Sequence, residues 1–362
     1  MPSQTDWLES LSPWPEEFGL GRMRALLVEL GEPQRSFPSI HVVGTNGKST
    51  ATRRAAAFLA AEGLLVGAYT SPHVTGWSER IQVGGGDGEL ESALARVRHA
   101  AERLGATQFE VLTAAALAEF ATDGVDVAVV EAGLGGRLDA TNVLAAPVVA
   151  LTNVSLDHTD VLGETREAIA AEKLAVVAPG ATVVLGEPEW EGLARASGAG
   201  EVVVAEDVAR AAASAVLGRP IEGEVEASPP GRFDLVGEDV WAGAHNPAGV
   251  EWLLERLPRR DYVLVVSIMR DKDAEEMLRL LAQAGRACVV TQASNARACP
   301  AVELAELARP FFERVEALAD PIEALERARE LGGPLLVTGS LYLLSDISVR
   351  LEGVRWGSLA RG

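Results

Sequence analysis

Cysteine is almost missing from this chain, with 2 among 362 residues. Cys288 and Cys299 have neither metal-ligand nor redox spacing, which excludes a disulfide framework and a thiolate metal centre. The opening segment Met1–Glu17 carries acidic residues and lacks the apolar stretch of a secretion signal. Together these point to a reducing cytoplasm. No apolar run is long enough to span a membrane. Basic charge is scarce too: 32 Lys and Arg stand against 52 Asp and Glu, a net −20. A nucleic-acid groove needs a basic surface, so that class of partner is set aside. The same deficit repels small anions at long range, so any anion site must be locally cationic. Internal repeats and low-complexity tails are absent as well.

What is present is an ordinary globular composition, 48% hydrophobic and 23% charged. The length allows two domains with separate cores. Short β-branched runs predict strands over Ser39–Val43, Leu65–Tyr69, Val125–Glu131, Val148–Thr152, Thr182–Leu185, Tyr262–Ser267, Ala287–Thr291 and Leu335–Thr338. Most are apolar on both sides, as in a parallel sheet covered by helices. Ala/Leu/Glu-rich stretches predict helices over Thr50–Glu62, Glu89–Leu104, Val111–Thr122, Arg166–Val177, Ala248–Leu257, Ala274–Ala284 and Pro321–Leu331. The alternation is that of doubly wound α/β architecture. Periodicity lapses between Gly218 and Gly237, around Ser228-Pro229-Pro230-Gly231. A junction there divides the chain into residues 1–230 and a smaller 231–362.

The densest motif is His41-Val42-Val43-Gly44-Thr45-Asn46-Gly47-Lys48-Ser49-Thr50. A buried strand runs into a glycine-bearing turn, and Lys-Ser-Thr opens an Ala-rich helix. Backbone N–H groups, the helix N-terminus and Lys48 suit a phosphate, and a hydroxyl beside them suits Mg²⁺. The common phosphate loop has a glycine where this chain has Val42, so the loop is the shorter Gly44–Lys48. ATP is the first expectation, and a plain strand-to-helix turn is the alternative.

Other polar segments also follow strands, where an open α/β sheet meets its ligands. In Tyr69-Thr70-Ser71-Pro72-His73, Ser71 offers a metal ligand and His73 a substrate contact, unless the segment is only a Ser-Pro turn. The run Asp126–Val130 ends in Glu131, a carboxylate placed to hold Mg²⁺ beside a nucleotide. Gly133, Gly135 and Gly136 then allow close backbone approach, with Arg137 and Asp139 in the same loop. His158 follows another strand and an aspartate. With Ser71 and Glu131 it completes a mixed O/N shell suited to Mg²⁺ or Mn²⁺. Ala170-Ala171-Glu172-Lys173 reads from its pattern as exposed charges on a helix. Farther on, Gly243–Pro247, Asp271–Asp273 and Val337–Tyr342 each follow a strand.

In this order the segments resemble the folylpolyglutamate synthase and dihydrofolate synthase family of the Mur-ligase superfamily. The match runs through Gly44–Thr50, Thr70–His73, Gln108–Glu110, Glu131–Asn142, Leu156–Asp160, Glu172-Lys173, Pro230–Phe233, Gly243–Pro247, Asp271–Asp273 and Thr338–Tyr342. The resemblance implies an N-terminal P-loop-type Mur-ligase domain with a mostly parallel sheet, and a smaller Rossmann-like α/β domain after it. It implies an ATP-dependent ligase that phosphorylates a pterin-linked carboxylate, after which the amine of L-glutamate displaces phosphate. On this footing Thr45, Asn46, Gly47, Lys48, Ser49 and Thr50 cradle ATP, and Arg232 reaches it from the domain junction. Thr50, Ser71, Glu131 and His158 hold metal, in two Mg²⁺ sites that also admit Mn²⁺. Lys173 is carbamylated. Thr107, Gln108, Phe109, Glu110, Leu138, Asp139 and Ala140 meet the pterin, while His245 and Ser340 bind glutamate. Lys48, Lys173 and His245 form the catalytic group, and the implied site lies between the domains of a monomer.

Three departures from the family pattern stand out. Ser49 replaces the second glycine of Gly-Lys-Gly-Ser, and Ala242 stands where an aspartate is usual. The stretch from Pro179 to Arg232 is short, with Asp207 where an asparagine falls in the family. The last two favour one alternative, a nucleotide-binding protein without ligase activity; a Mur-type ligase with another carboxylate acceptor stays open beside it.

Overall fold

The computed structural model describes residues 3–15 and 17–351, so the outermost residues of both expected domains lie outside it. Two compact units form. One takes the chain up to Pro72 and Trp77–Ala227; the other takes His73–Gly76 and the chain from Ser228 onward. The second boundary falls inside the stretch without periodicity. The excursion at 73–76 had no sequence signal. Its Val74 packs among Trp241, Val337 and Leu344 of the second unit.

The first unit is built on an eight-stranded sheet. Its strands are β1 (Ser39–Val43), β2 (Val66–Tyr69), β3 (Ile81–Val83), β4 (Gly86–Asp87), β5 (Val127–Glu131), β6 (Val148–Leu151), β7 (Thr182–Leu185) and β8 (Glu201–Val204). The order is β4-β3-β2-β5-β1-β6-β7-β8, parallel except for the β2-β3-β4 hairpins. β1, β2, β5 and β6 are buried at every position, which is why they read as unbroken apolar runs. Alternate side chains serve opposite faces. Ile40, Val42, Val127, Val129 and Val148 pack with Phe58, Ala209 and Ala212 from the helices Lys48–Ala61 and Val208–Leu217. Ala128 and Val130 face the helices Leu90–Leu104 and Gln108–Asp123, whereas Val43 and Val149 face Arg166–Leu174. Parallel pairing sends the carboxyl ends of four strands to one edge. Val42 is level with Glu131, Val43 with Leu151, and Tyr69 with Val130. Every loop singled out in this unit leaves from that edge or lies beside it.

The second unit repeats the plan with β9 (Asp234–Val236), β10 (Asp239–Ala242), β11 (Val263–Val266), β12 (Ala287–Val290), β13 (Arg314–Ala317) and β14 (Leu335–Thr338). The order is β13-β12-β11-β14-β10-β9, with only β9 antiparallel. One face packs on Leu253, Met277 and Leu304, and the other on Leu325 and Leu344.

Apolar strands lie where the runs predicted them, trimmed by a residue or two. β8 and β13 carried no comparable signal, because each lies at a sheet edge, is half-exposed and is charged at an end or within. The helix expected from Val111 starts at Gln108, because Glu110 turns back to accept hydrogen bonds from the N–H and Oγ of Thr107. In β2, a Cβ on Gly67 would stand 2.6 Å from the Phe120 ring. Gly67→Ala is therefore expected to cost about 1–3 kcal/mol through overpacking, read as a lower urea midpoint with an unchanged slope.

Candidate active site

The phosphate-loop segment crosses closely over the segment after β6. Gly44 has φ 150°, and a Cβ there would sit 1.9 Å from Thr152 Oγ1, so no other residue fits. Thr45 N donates to Asn153 O (2.9 Å) and Asn46 N to Asn153 Oδ1 (2.9 Å). In return Asn46 O accepts from Thr152 Oγ1 and Asn153 Nδ2. Thr45 Oγ1 donates to Ser155 O and accepts from Ser155 N. Gly47, at φ 79°, turns the chain into the helix that begins with Lys48. Lys48 Nζ donates to Thr45 O at 3.2 Å. Thr152, Asn153 and Ser155 are thus the frame of the loop. An isolated Thr-Asn-x-Ser has no sequence signal for that task.

Glu131 ties two further segments to the loop. It is buried, its Oε1 accepts from Ser49 Oγ (3.0 Å), and its Oε2 accepts from Ser71 N (3.0 Å). Ser49 puts its hydroxyl on this carboxylate, while Thr50, the hydroxyl expected beside Mg²⁺, is half-buried on the same helix. A serine thus replaces the family glycine at a position where its hydroxyl has a partner. His158 stands at φ 50° after Asp157, whose Oδ1 accepts from His158 N (2.9 Å) and lies 3.9 Å from His158 Nε2. Among the described residues no three His, Cys, Asp or Glu cluster as a self-sufficient metal cage. One buried carboxylate, Glu131, with the Ser49 hydroxyl on it instead suits a cation that keeps water and takes phosphate oxygens, as Mg²⁺ does. The donor set therefore fits the implied metal.

Lys173 departs from the reading of its pattern. It is 4% exposed, and its Nζ donates to Gly44 O at 2.8 Å. Burial, followed by the charge of Lys48, pulls its pKa down to about 7, against the opposing pull of Asp157, Asp139 and Glu172. The helix end carrying it is packed tightly. A Cβ on Gly136 would lie 2.6 Å from Lys173 O, and Arg137 Nε donates to Glu172 Oε2. A signal for this residue did exist in the composition. The chain has three lysines, at 48, 173 and 272, against 29 arginines. None is exposed, and Lys272 lies 3.4 Å from Asp271. Where arginine serves almost every cationic role, each of the three lysines is a position worth inspecting, because an amine, unlike a guanidinium, can lose its proton when buried.

The residues expected at the pterin divide. Gln108 and Glu110 are engaged with the N-terminal segment: Gln108 Nε2 donates to Leu8 O, and Arg22 Nε donates to Glu110 Oε2 at 2.7 Å. Thr107 is buried against Glu110. Phe109 lies 6.1 Å from the Tyr69 ring and against Gly133, where a Cβ would be 2.5 Å from its Cζ. Asp139 and Ala140 are buried, while Leu138 between them and the loop's glycines is exposed. Burial raises the Asp139 carboxyl pKa against hydrogen bonds that include Thr141 and Leu134.

In the second unit His245 Nδ1 pairs with Gly243 O at 3.0 Å, and Asn246 caps the next helix at Gly249 N. Ser340 is buried and its Oγ accepts from Tyr342 N, while Arg232 is half-buried. His73 belongs to this unit.

The fold and this arrangement define a Mur-type ligase. The Mur ligase middle domain matches residues 42–184, and the Mur ligase glutamate ligase domain matches residues 231–341. The chain is 32% identical to the Mycobacterium tuberculosis dihydrofolate synthase/folylpolyglutamate synthase, over 88% of this chain and 84% of that protein. It is 31% identical to the Lacticaseibacillus casei folylpolyglutamate synthase, over 92% and 94%. Among solved structures it is similar to M. tuberculosis folylpolyglutamate synthase complexed with ADP, with a TM-score of 0.89 and 29% identity over 97% and 98%. It is also similar to the bifunctional synthase with Mn, AMPPNP and L-glutamate bound, with a TM-score of 0.85 and 28% identity over 97% and 98%. The chain belongs to the dihydrofolate synthase/folylpolyglutamate synthase family and is an ATP-dependent acid–amino-acid ligase.

Two variants separate the hydroxyls of the loop. Ser49→Ala is expected to raise the Mg²⁺ concentration giving half-maximal turnover by about 10–100-fold, and Thr50→Ala to raise it much less. A Mg²⁺ titration of initial rates decides between them.

Proposed function

We propose that this ligase adds L-glutamate to both dihydropteroate and reduced folyl-glutamate. The observation that carries the reading is the bond from Lys173 Nζ to the first carbonyl of the phosphate loop, beside Lys48 and within the frame set by Glu131. A carboxylate is a poor electrophile, and transfer of the γ-phosphoryl group makes it an acyl phosphate. The α-amine of glutamate then attacks the acyl carbon and phosphate leaves, giving an amide, ADP and phosphate. Such transfer depends on positioning and charge stabilisation more than on covalent help from the protein. The N–H groups at the start of the helix that Lys48 opens, and Lys48 itself, supply both at the triphosphate, with Arg232 as a further ATP contact, while the N–H groups of Thr45 and Asn46 stay on Asn153. Ser49, Ser71, Glu131 and His158 hold the divalent metal, with Thr50 beside them; when bound, the metal neutralises charge on the phosphates.

Lys173 has a second part in this reading. An amine with a pKa of about 7 is half neutral at physiological pH, and a neutral amine takes up CO₂ as a carbamate. Carbamylation turns a cation beside Lys48 into an anion and relieves the repulsion between the two. Phe109 and Leu138 offer the apolar surface for a pterin ring, and His245 and Ser340 take the glutamate. The protein works as a monomer in the cytoplasm, where its two buried thiols stay free. Among the described residues no helix is long and apolar enough to cross a membrane.

Phosphate release with ATP, Mg²⁺, L-glutamate and either dihydropteroate or a reduced folate tests the substrate assignment. Turnover should require the pterin and glutamate together. ATP binding with no pterin-dependent turnover, bicarbonate being present, would leave a non-catalytic nucleotide binder. Lys173→Ala should lower turnover by at least ~10³-fold, as loss of a preorganised charge does, while ATP binding changes little. Below about pH 7 Lys173 is protonated and cannot take up CO₂. Enzyme stripped of CO₂ should therefore regain activity on adding bicarbonate at pH 8 but not at pH 6. Equal recovery at both would remove the carbamate.

A further inference from the structure

His41 is the third residue of β1, fully buried between β5 and β6. Its Nε2 lies 2.8 Å from Thr141 Oγ1, and that hydroxyl lies 2.5 Å from Asp139 Oδ1. Asp139 also accepts from Leu134 N (2.8 Å) and Thr141 N (3.0 Å). Asp139 Oδ1 accepts from Thr141 N, and the Thr141 hydroxyl donates to the same oxygen, so that hydroxyl accepts from His41. The imidazole is therefore the Nε2–H tautomer. Its Nδ1 is buried and has no hydrogen-bond partner among the described residues. An apolar side chain would avoid that unpaired nitrogen, so the bond to Thr141 is what the histidine contributes. Burial lowers its pKa to about 4, which keeps the ring neutral and the direction of the chain set at working pH.

The chain of bonds ends on loop 133–142, which packs on Phe109 and on the helix that carries Lys173. Gly133 abuts Phe109, Gly136 abuts the backbone of Glu172 and Lys173, and Leu138 is exposed. Three residues beyond His41, Gly44 O receives the Lys173 amine. We propose that His41 is a positioning residue for the pterin end of the site, holding loop 133–142 in place through Thr141 and Asp139. This rests on the reading of that loop as a pterin contact.

The test uses His41→Met, which lacks the donor; His41→Gln, which keeps one; Thr141→Val; and the Met/Val double variant. Amide hydrogen exchange over 133–142 is followed beside KM for dihydropteroate and for ATP. His41→Met and Thr141→Val should each speed exchange in that loop and raise the pterin KM by about fivefold to tenfold, the loss of one net hydrogen bond. Residues 44–50 and the ATP KM should stay within about twofold of the parent. Gln should restore the parent pattern, and the double variant should match either single. Unchanged exchange over 133–142, equal rises across both loops, or additive effects would overturn the role. Should His41→Met not fold, Thr141→Val carries the same decision. A parent protein without pterin-dependent turnover would sink the ligase reading alone, since the exchange pattern still judges His41.

Discussion

The site hangs on the parallel pairing of β1 with β5 on one side and β6 on the other. That register sets Val42 level with Glu131 and Val43 level with Leu151. Three chain segments therefore leave the sheet together, and their polar groups meet within hydrogen-bond reach. Glu131 then takes Ser49 on one oxygen and Ser71 on the other, while Asn153 holds Thr45 and Asn46. A buried carboxylate is costly unless its oxygens are paired. Here the pairing also orders the anion-binding loop, so the burial serves the chemistry.

Charge is handled locally against an unfavourable whole. At net −20 the molecule repels its nucleotide at a distance. Lys48 and the N-terminus of the helix it opens place positive charge at the end of the loop. Lys173 adds a second amine at the same place. Burial above all, and then the charge of Lys48, makes the buried amine lose its proton more readily. The position of Lys173 thus favours the neutral form of its amine.

Much of this was legible in the residues. Runs such as Ser39–Val43, Thr182–Leu185 and Leu335–Thr338 are strands over their predicted spans, because strands buried on both faces must be apolar throughout. The edge strands β8 and β13 escaped notice because half-exposed strands tolerate charge. Gln108 and Glu110 lie in a recognisable segment, yet their side chains anchor the N-terminal helices. A motif shows which backbone is needed and leaves open which neighbour each side chain meets.

The sequence alone determined the α/β alternation, the phosphate loop and the family, since these follow from local periodicity and from ordered motifs. Tertiary structure decided that Lys173 is buried on Gly44 O, that Ser49 rather than Thr50 meets Glu131, and that His41 reaches Thr141. Each of these joins residues about 80 to 130 positions apart. Only the packing of strands and loops sets such distances, and the desolvation that shifts a buried amine exists only once that packing is complete.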